Sequence, residues 1–410
     1  IKLNDGIVKI AVAVIVVILN YFFTKFVFKN KEKKDDNAKI VKEDKKKNSK
    51  NNEVWYKKWY IIYSILFTVI SLFVFFTFIY QGKSFVWEND GYVQHYSSAM
   101  FFGNYVRDII KNLIFNHELI IPMWDLTIGT GLDIFTTLNY YAFGDPLSIF
   151  YIFTPEKYTA YMYSFLVILR LYLSGLFFIL FCFNFKQKKI PSILGALGYV
   201  FCGYALFASI RHPFFVNPMI YLPLILLGIE HVLKGKRPYL FILMIVISAI
   251  SNFYFLYMLT IAAVLYAFVR VLYLYKDRGL FWKNFWYYLL KFVIYYIIAI
   301  LLSSILFSPI LIAFFNSSRA SGQLSSLNIF YDITYYINFI QNMFNVNVVG
   351  SWTYIGFNIL TVLCLLLIFK DKSKKGLYLR NILIILLVAL MFPLFGYIMN
   401  GFSYVSNRWI

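Results

Sequence analysis

Two carboxylates, an amide and an imidazole fall within ten residues of an otherwise apolar chain. They are Glu88, Asp90, Gln94 and His95 of WENDGYVQHY (87–96). A carboxylate just past the end of a membrane span can take a proton from a hydroxyl near the bilayer surface. Glu88 and Asp90 are two residues apart, so an extended segment would put both on one side. There they could share a metal or split roles. The competing reading is a pair of solvated loop carboxylates, and position alone favours it. Arg211, Arg319 and Arg408 form a second set. Guanidinium grips phosphate through a bidentate fork, so three on one face could meet over one anionic group. Each taken singly is more often an interfacial anchor.

These residues can meet only if membrane spans deliver them to one face. The chain of 410 residues is 61% hydrophobic, with a mean hydropathy of +0.68; soluble domains sit near roughly 45–50% apolar. Apolar runs cover 7–28, 59–80, 159–185, 190–210, 214–233, 238–252, 253–275, 285–315, 352–369 and 380–399. Several exceed the roughly 18–20 residues that cross a bilayer. They are continuous rather than alternating, which excludes a β-barrel. The fold class is therefore an all-α polytopic membrane protein. The aromatic content of 21% accompanies abundant Ile, Lys and Asn, and suits lipid-facing and interfacial positions. The net charge of +20 sits in lysines between spans, a topology signal rather than a nucleic-acid patch. Cys182, Cys202 and Cys364 lie inside apolar runs without metal-type spacing, as packing residues do. No signal-peptide pattern opens the chain. A start at Ile1 and a stop at Ile410 read as a fragment of a longer protein.

Basic clusters order the spans. Residues 29–58 hold twelve lysines against six acidic residues and read as a disordered cytoplasmic linker. It separates a single span (1–28) from the main transmembrane domain (59–410). Lys186–Lys189, Lys234–Arg237, Lys276–Lys283 and Lys370–Arg380 recur at every second span boundary, so all fall on one face. The opposite, external face then holds 81–158, the turns at 211–213 and 251–254, the loop 316–351 and the tail from 400. Segment 81–158 has four Lys or Arg against eight acidic residues. Within it, 95–115 suits an interfacial amphipathic helix. Residues 122–133 read as loop, and 146–153 are apolar but too short to span. Ser251 and Asn252 mark either a turn within the membrane or a tight external hairpin.

Several stretches resemble the YfhO family of bacterial membrane proteins. They include NDGYVQHY (89–96), YVRDII (105–110), MWDLTIGTGLDIFTTLNYY (123–141) and DPLSIFYIF (145–153). IRHPFFVNPMIYLPLILLGIEHVLKGKRP (210–238), SNFYFLYMLTI (251–261), NSSRASG (316–322) and MNGFSYVSNRW (399–409) extend the likeness. It runs from about residue 59 to the end and stops inside the family's extent. The piece LNYFFTKFVFK (19–29) is similar to the last helix of GtrA-type proteins, which are associated with moving polyprenyl-phosphate sugars across membranes.

The YfhO resemblance implies a GT-C-like bundle with a long first external loop carrying interfacial helices. It implies a plasma-membrane glycosyltransferase with an extracellular site, taking a sugar from a polyprenyl (undecaprenyl) phosphate to lipoteichoic or wall teichoic acid. Asp90 would be the catalytic base, with Glu88 in support. Arg319, Arg408 and Arg211 would hold the donor phosphate. Trp124, Tyr140, Tyr141, His212 and Asn252 would line the sugar and acceptor sites, or, for the aromatics, anchor the interface. The donor tail would lie in a groove between spans and interfacial helices. The loop reads E-N-D rather than presenting adjacent acidic residues. That spacing makes a two-carboxylate metal site less secure, so no cofactor is certain and a divalent metal stays open. Implied partners are membrane lipid, a GtrA-like flippase and a donor-charging glycosyltransferase. The rival readings are a lipid or polymer transporter or flippase, and a non-catalytic envelope assembly protein.

Overall fold

The computed structural model describes residues 59–275, 279–316, 328–343, 356–402 and 404–408. The single span and linker expected over 1–58, and Arg319, lie outside the described residues. Helix α1 (Trp59–Val74) is followed by the short α2 (Phe76–Tyr80). The segment Gly91–Tyr96 winds as a π-helix and runs directly into α3 (Ser97–Phe115). The expected loop at 122–133 carries a small antiparallel hairpin, β1 (Trp124–Asp125) and β2 (Leu132–Asp133), with Trp124 opposite Asp133. Short helices α4 (Ile134–Leu138) and α5 (Ile149–Ile152) follow.

The bundle itself comprises α6 (Thr159–Asn184), α7 (Lys189–Val200), α8 (Gly203–Arg211), α9 (Asn217–Leu233), α10 (Tyr239–Ser251), α11 (Phe253–Tyr275) and α12 (Phe281–Phe315). Then come α13 (Ile333–Asn342), α14 (Ile359–Lys370), α15 (Lys374–Leu390) and α16 (Pro393–Met399). Among the described residues, four helical stretches are long and apolar enough to cross a membrane, or six if each of two bent pairs counts as one span. Helix α6 packs on α7 and α9, and α10 packs on α9 and α12. The chain is thus an all-α polytopic membrane protein.

Two runs expected as single spans are broken. The run at 190–210 bends by 47° between α7 and α8. There Cys202 is extended and the Gly203 amide donates to the Gly356 carbonyl at 2.8 Å. The run at 380–399 bends by 97° between α15 and α16. Pro393 opens α16, and a proline forces the preceding residue out of helical geometry. The loop expected over 316–351 contains α13, whose Tyr335 and Tyr336 donate to the carbonyls of Leu390 (2.9 Å) and Met391 (2.8 Å), exposed by that same break.

Cross-links between loops sort the two ends of the bundle. Lys234 donates to Asn184, Arg270 lies over Phe185 and Tyr273, Lys374 lies over Tyr273 and Lys189 over Trp59. The basic clusters at 186–189, 234–237 and 372–375 therefore share one end. The other end gathers 87–95, 139–145, 211–215, 250–254, 400–402 and 404–408.

Two glycines let the segments at this second end approach closely. A side chain on Gly144 would meet the carbonyls of Ile250 and Ser251 at 2.6 and 2.5 Å. One on Gly103 would meet the Tyr151 carbonyl at 2.8 Å. Arg107 then reaches across to the carbonyls of Tyr151 (2.7 Å), Ile152 (3.2 Å) and Thr154 (2.7 Å), closing the open end of α5 onto α3. This satisfies acceptors a helix C-terminus leaves unpaired.

Candidate functional site

Asp90 opens the π-helical turn. Its half-buried carboxylate accepts from Gln94 Nε2 at 3.1 Å. Gln94 in turn accepts from the Tyr141 hydroxyl at 2.8 Å. His95, one residue on, is 1% exposed, and its Nε2 lies 3.0 Å from His212 Nδ1. Burial, then His212 and Arg170, lower the His95 pKa from 6.5 to about 3. His212 is also held below the ordinary imidazole range, first by burial. The Asp90 carboxylate opposes that shift, and the Arg408 and Arg211 charges add to it. Asp90, Arg211, His212 and Arg408 therefore share one site, although they come from three distant parts of the chain.

Arg408 stands in an aromatic frame, over the rings of Phe215 (5.7 Å) and Tyr404 (5.9 Å), and within electrostatic reach of Tyr140 and Tyr254. Burial raises the Tyr140 pKa, with the Arg408 charge opposing, so Tyr140 stays a neutral phenol. The tail that carries Arg408 reverses through left-handed Gly401 and Phe402 (φ 65° and 59°). Asn400 ties it down: its Oδ1 accepts from the Tyr254 hydroxyl and its Nδ2 donates to the Tyr404 carbonyl at 2.8 Å. The Tyr257 hydroxyl donates to the Ile398 carbonyl at 2.9 Å. Arg211 is exposed and lies over Trp87 (5.0 Å) and Phe207 (4.3 Å).

Other expected site residues fall elsewhere or play another part. The segment at Glu88 is a turn entering a helix, not an extended strand. Residues two apart on a helical path diverge by roughly 200°, so Glu88 and Asp90 do not share a side. Glu88 is exposed and makes no hydrogen bond or ion pair among the described residues. Asn252 caps α11: its Oδ1 accepts from the amides of Tyr254 (3.0 Å) and Phe255 (3.4 Å). The break it makes is lined by protein, since Asn139 Nδ2 donates to the Ile250 carbonyl at 3.0 Å. Trp124 is 58% exposed in the hairpin, and among the described residues it has no hydrogen bond or ring contact with the Asp90–Arg408 cluster. No three His, Cys, Asp or Glu side chains converge as a metal-ligand set among the described residues.

Behind the site lies a buried triad that sequence reasoning left unassigned. Arg170, deep in α6, donates through Nη2 to Asp145 and through Nε to Asn217 Oδ1 at 3.1 Å. Asn217 Nδ2 returns a bond to Asp145 Oδ1 at 3.1 Å. The triad pins the segment bearing Tyr140 and Tyr141 to α6 and α9. An apolar cavity of about 470 Å³ opens between α9, α10, α11 and α12, lined by Ile229, Phe241, Ala267, Phe268 and Tyr296 among others. Its position between spans, away from α3 and α5, differs from the groove expected beside the interfacial helices.

A family model described as bacterial membrane protein YfhO matches residues 64–410. The chain belongs to the YfhO family. No curated protein and no solved structure matches it. The YfhO match begins inside α1 and takes in the whole Asp90–Arg408 cluster. Sequence reasoning missed Tyr254 and Asn400 in this YfhO site. A tyrosine two residues past the Asn252 break, and a second asparagine at the end of α16, were the available signals.

Proposed function

We propose that this membrane protein is a GT-C-type glycosyltransferase. It moves a monosaccharide from an undecaprenyl-type polyprenyl phosphate to an extracellular envelope polymer of the lipoteichoic or wall teichoic acid class. The observation that carries the reading is that Asp90 and Arg408, with Arg211, all act on His212. This joins a carboxylate that can accept a proton to guanidiniums that can hold a phosphate. Family membership agrees with glycosyl transfer, and the lysine-rich opposite end agrees with a cytoplasmic face there.

In this mechanism the acceptor hydroxyl oxygen attacks the anomeric carbon while its proton passes to Asp90. Gln94 holds Oδ1 of that carboxylate. The bond from the anomeric carbon to the phosphate oxygen breaks, and polyprenyl phosphate leaves. Arg408 and Arg211 offset the charge that grows on it, and Arg319 is assigned the same task. Tyr140 and Tyr141 border the sugar. A single carboxylate implies inversion, because retention requires a second one about 5 Å away as nucleophile, and Glu88 turns away. The apolar cavity lies toward the lysine-rich ends of α9, α10, α11 and α12, away from Asp90, and takes no part in this reading. Arg170 pairs with Asp145, and Arg270 with Glu230 at 2.5 Å. Each of these buried charges has a partner within the protein, as charges inside a membrane require.

The test is Asp90→Asn in living cells, read as sugar content of extracted polymer. The expected result is a loss of at least about a hundredfold, the scale of general-base catalysis. Normal glycosylation in that strain would remove Asp90 from the chemistry. A scaffold role predicts such normal glycosylation.

A further inference from the structure

The buried imidazole pair has a property that the mechanism above does not use. His95 Nε2 and His212 Nδ1 are 3.0 Å apart, so one proton lies on that axis. Both rings are neutral near pH 7, since burial disfavours the imidazolium form of each. Two tautomeric arrangements satisfy the bond. In one, His95 donates, its Nδ1 is a bare lone pair, and His212 carries its own proton on Nε2. In the other, His212 donates, its Nε2 is bare, and His95 carries a proton on Nδ1.

The surroundings decide between them. His95 Nδ1 is buried and has no hydrogen-bond partner. Burying an N–H without a partner is rarer and costlier than leaving an acceptor unfilled. The charge that reaches His95 from outside the pair is the Arg170 guanidinium, which favours a lone pair over a proton. On the His212 side, Asp90 is the largest single charge, ahead of Arg408 and Arg211, and a carboxylate favours an N–H. The unpartnered His95 Nδ1 therefore selects the first arrangement, and the nearby Asp90 carboxylate is compatible with it.

We propose that His95 locks His212 in the Nε2–H tautomer, so that His212 serves as a neutral donor to an anionic oxygen held among Asp90, Arg211 and Arg408. The anion is the phosphate of the polyprenyl donor, so this proposal rests on the reading above. His212 is then a phosphate-binding residue, not a base, and His95 is its positioning residue.

The test uses the full chain in nanodiscs with 15N-labelled histidine, and undecaprenyl phosphate as the probe. In the wild type, His212 should show a protonated Nε2 and a bare Nδ1, and the probe should shift that Nε2–H resonance. His95→Leu should mix the His212 tautomers and weaken probe binding about tenfold, the scale of a hydrogen bond to a charged group. His95→Gln keeps a donor near the Nε2 position and should stay within about threefold of wild type. A wild-type His212 protonated on Nδ1 overturns the proposal. So does a His95→Leu protein that folds with the tautomer unchanged, or a His95→Gln protein as weak as His95→Leu. A protein that transfers no sugar but shows the locked tautomer and the phosphate shift would sink the glycosyltransferase reading alone.

Discussion

Removing Asp145 should destabilise the protein far more than removing Asp145 and Arg170 together. The two side chains are 1% and 2% exposed. Asp145 takes bonds from Arg170, from Asn217 and from the Leu147 amide at 3.3 Å. Asp145→Leu alone leaves a guanidinium in the bundle with only Asn217 as a side-chain hydrogen-bond partner among the described residues. Breaking a buried pair in this way costs about 3–5 kcal/mol, whereas replacing both members with apolar groups of similar volume is often neutral or better. Asp145→Leu combined with Arg170→Met should therefore recover most of the loss, giving a coupling of about 3 kcal/mol. Denaturant titration of the purified protein in mixed micelles, on the two single variants and the double, measures that coupling. If the single variants each cost less than about 1 kcal/mol, or if the double loses the sum of the singles, the triad does not hold the site in place.

Three further outcomes follow from the same geometry. His95 titrates at about 3 in the folded chain against an ordinary 6.5, so the unfolded chain takes up the proton first as pH falls. Stability should be whole above about pH 6.5 and drop by about 1.4 kcal/mol per pH unit toward pH 3, with a shallower slope for His95→Gln in the same titration. Trp124→Ala should change polyprenyl phosphate affinity by less than about twofold, since its hairpin is separate from the cluster; a tenfold loss by fluorescence titration would return Trp124 to the site. Ala267→Trp fills part of the apolar cavity. Because that cavity lies toward the lysine-rich end, the substitution should change the binding of long- and short-chain polyprenyl phosphates alike, by less than about twofold, in competition binding; a loss confined to long chains would bring the donor tail into the cavity.

The bundle was legible because continuous apolar runs and alternating lysine clusters are local signals, and bilayer physics leaves few other folds for them. The breaks were less so. Pro393 is visible in the sequence, but the α7–α8 bend depends on Gly356, more than 150 residues from Gly203, and no window reads such a contact. The hairpin escaped because its strands are two residues each. Asp90, His212 and Arg408 stood out as polar groups at span ends on one face. Tyr254 did not, because a chain with 21% aromatic residues hides one working tyrosine among many. Glu88 was paired with Asp90 on the premise of an extended loop, and the turn there removes the premise. Arg170 lies deep in α6 and its partner Asp145 in a loop 25 residues earlier, so only the fold shows the pairing.

The winding at 91–96 explains why one short stretch supplies so much of the site. In a regular α-helix, Gln94 would fall beneath Asp90 and His95 would lie about 140° round the helix from Asp90. A π-turn widens the ring, with bonds from residue i to i+5. Gln94 and His95 then both lie on the side of Asp90, one holding its carboxylate and the other reaching His212. Such turns are less stable than α-helix and persist where neighbours fix them. Here Tyr141 holds Gln94 and His212 holds His95, so the turn and the site depend on each other. A substitution that restores α-winding would swing His95 out of reach of His212 while leaving Asp90 and Gln94 together. The base and its amide would survive, and the imidazole pair would not.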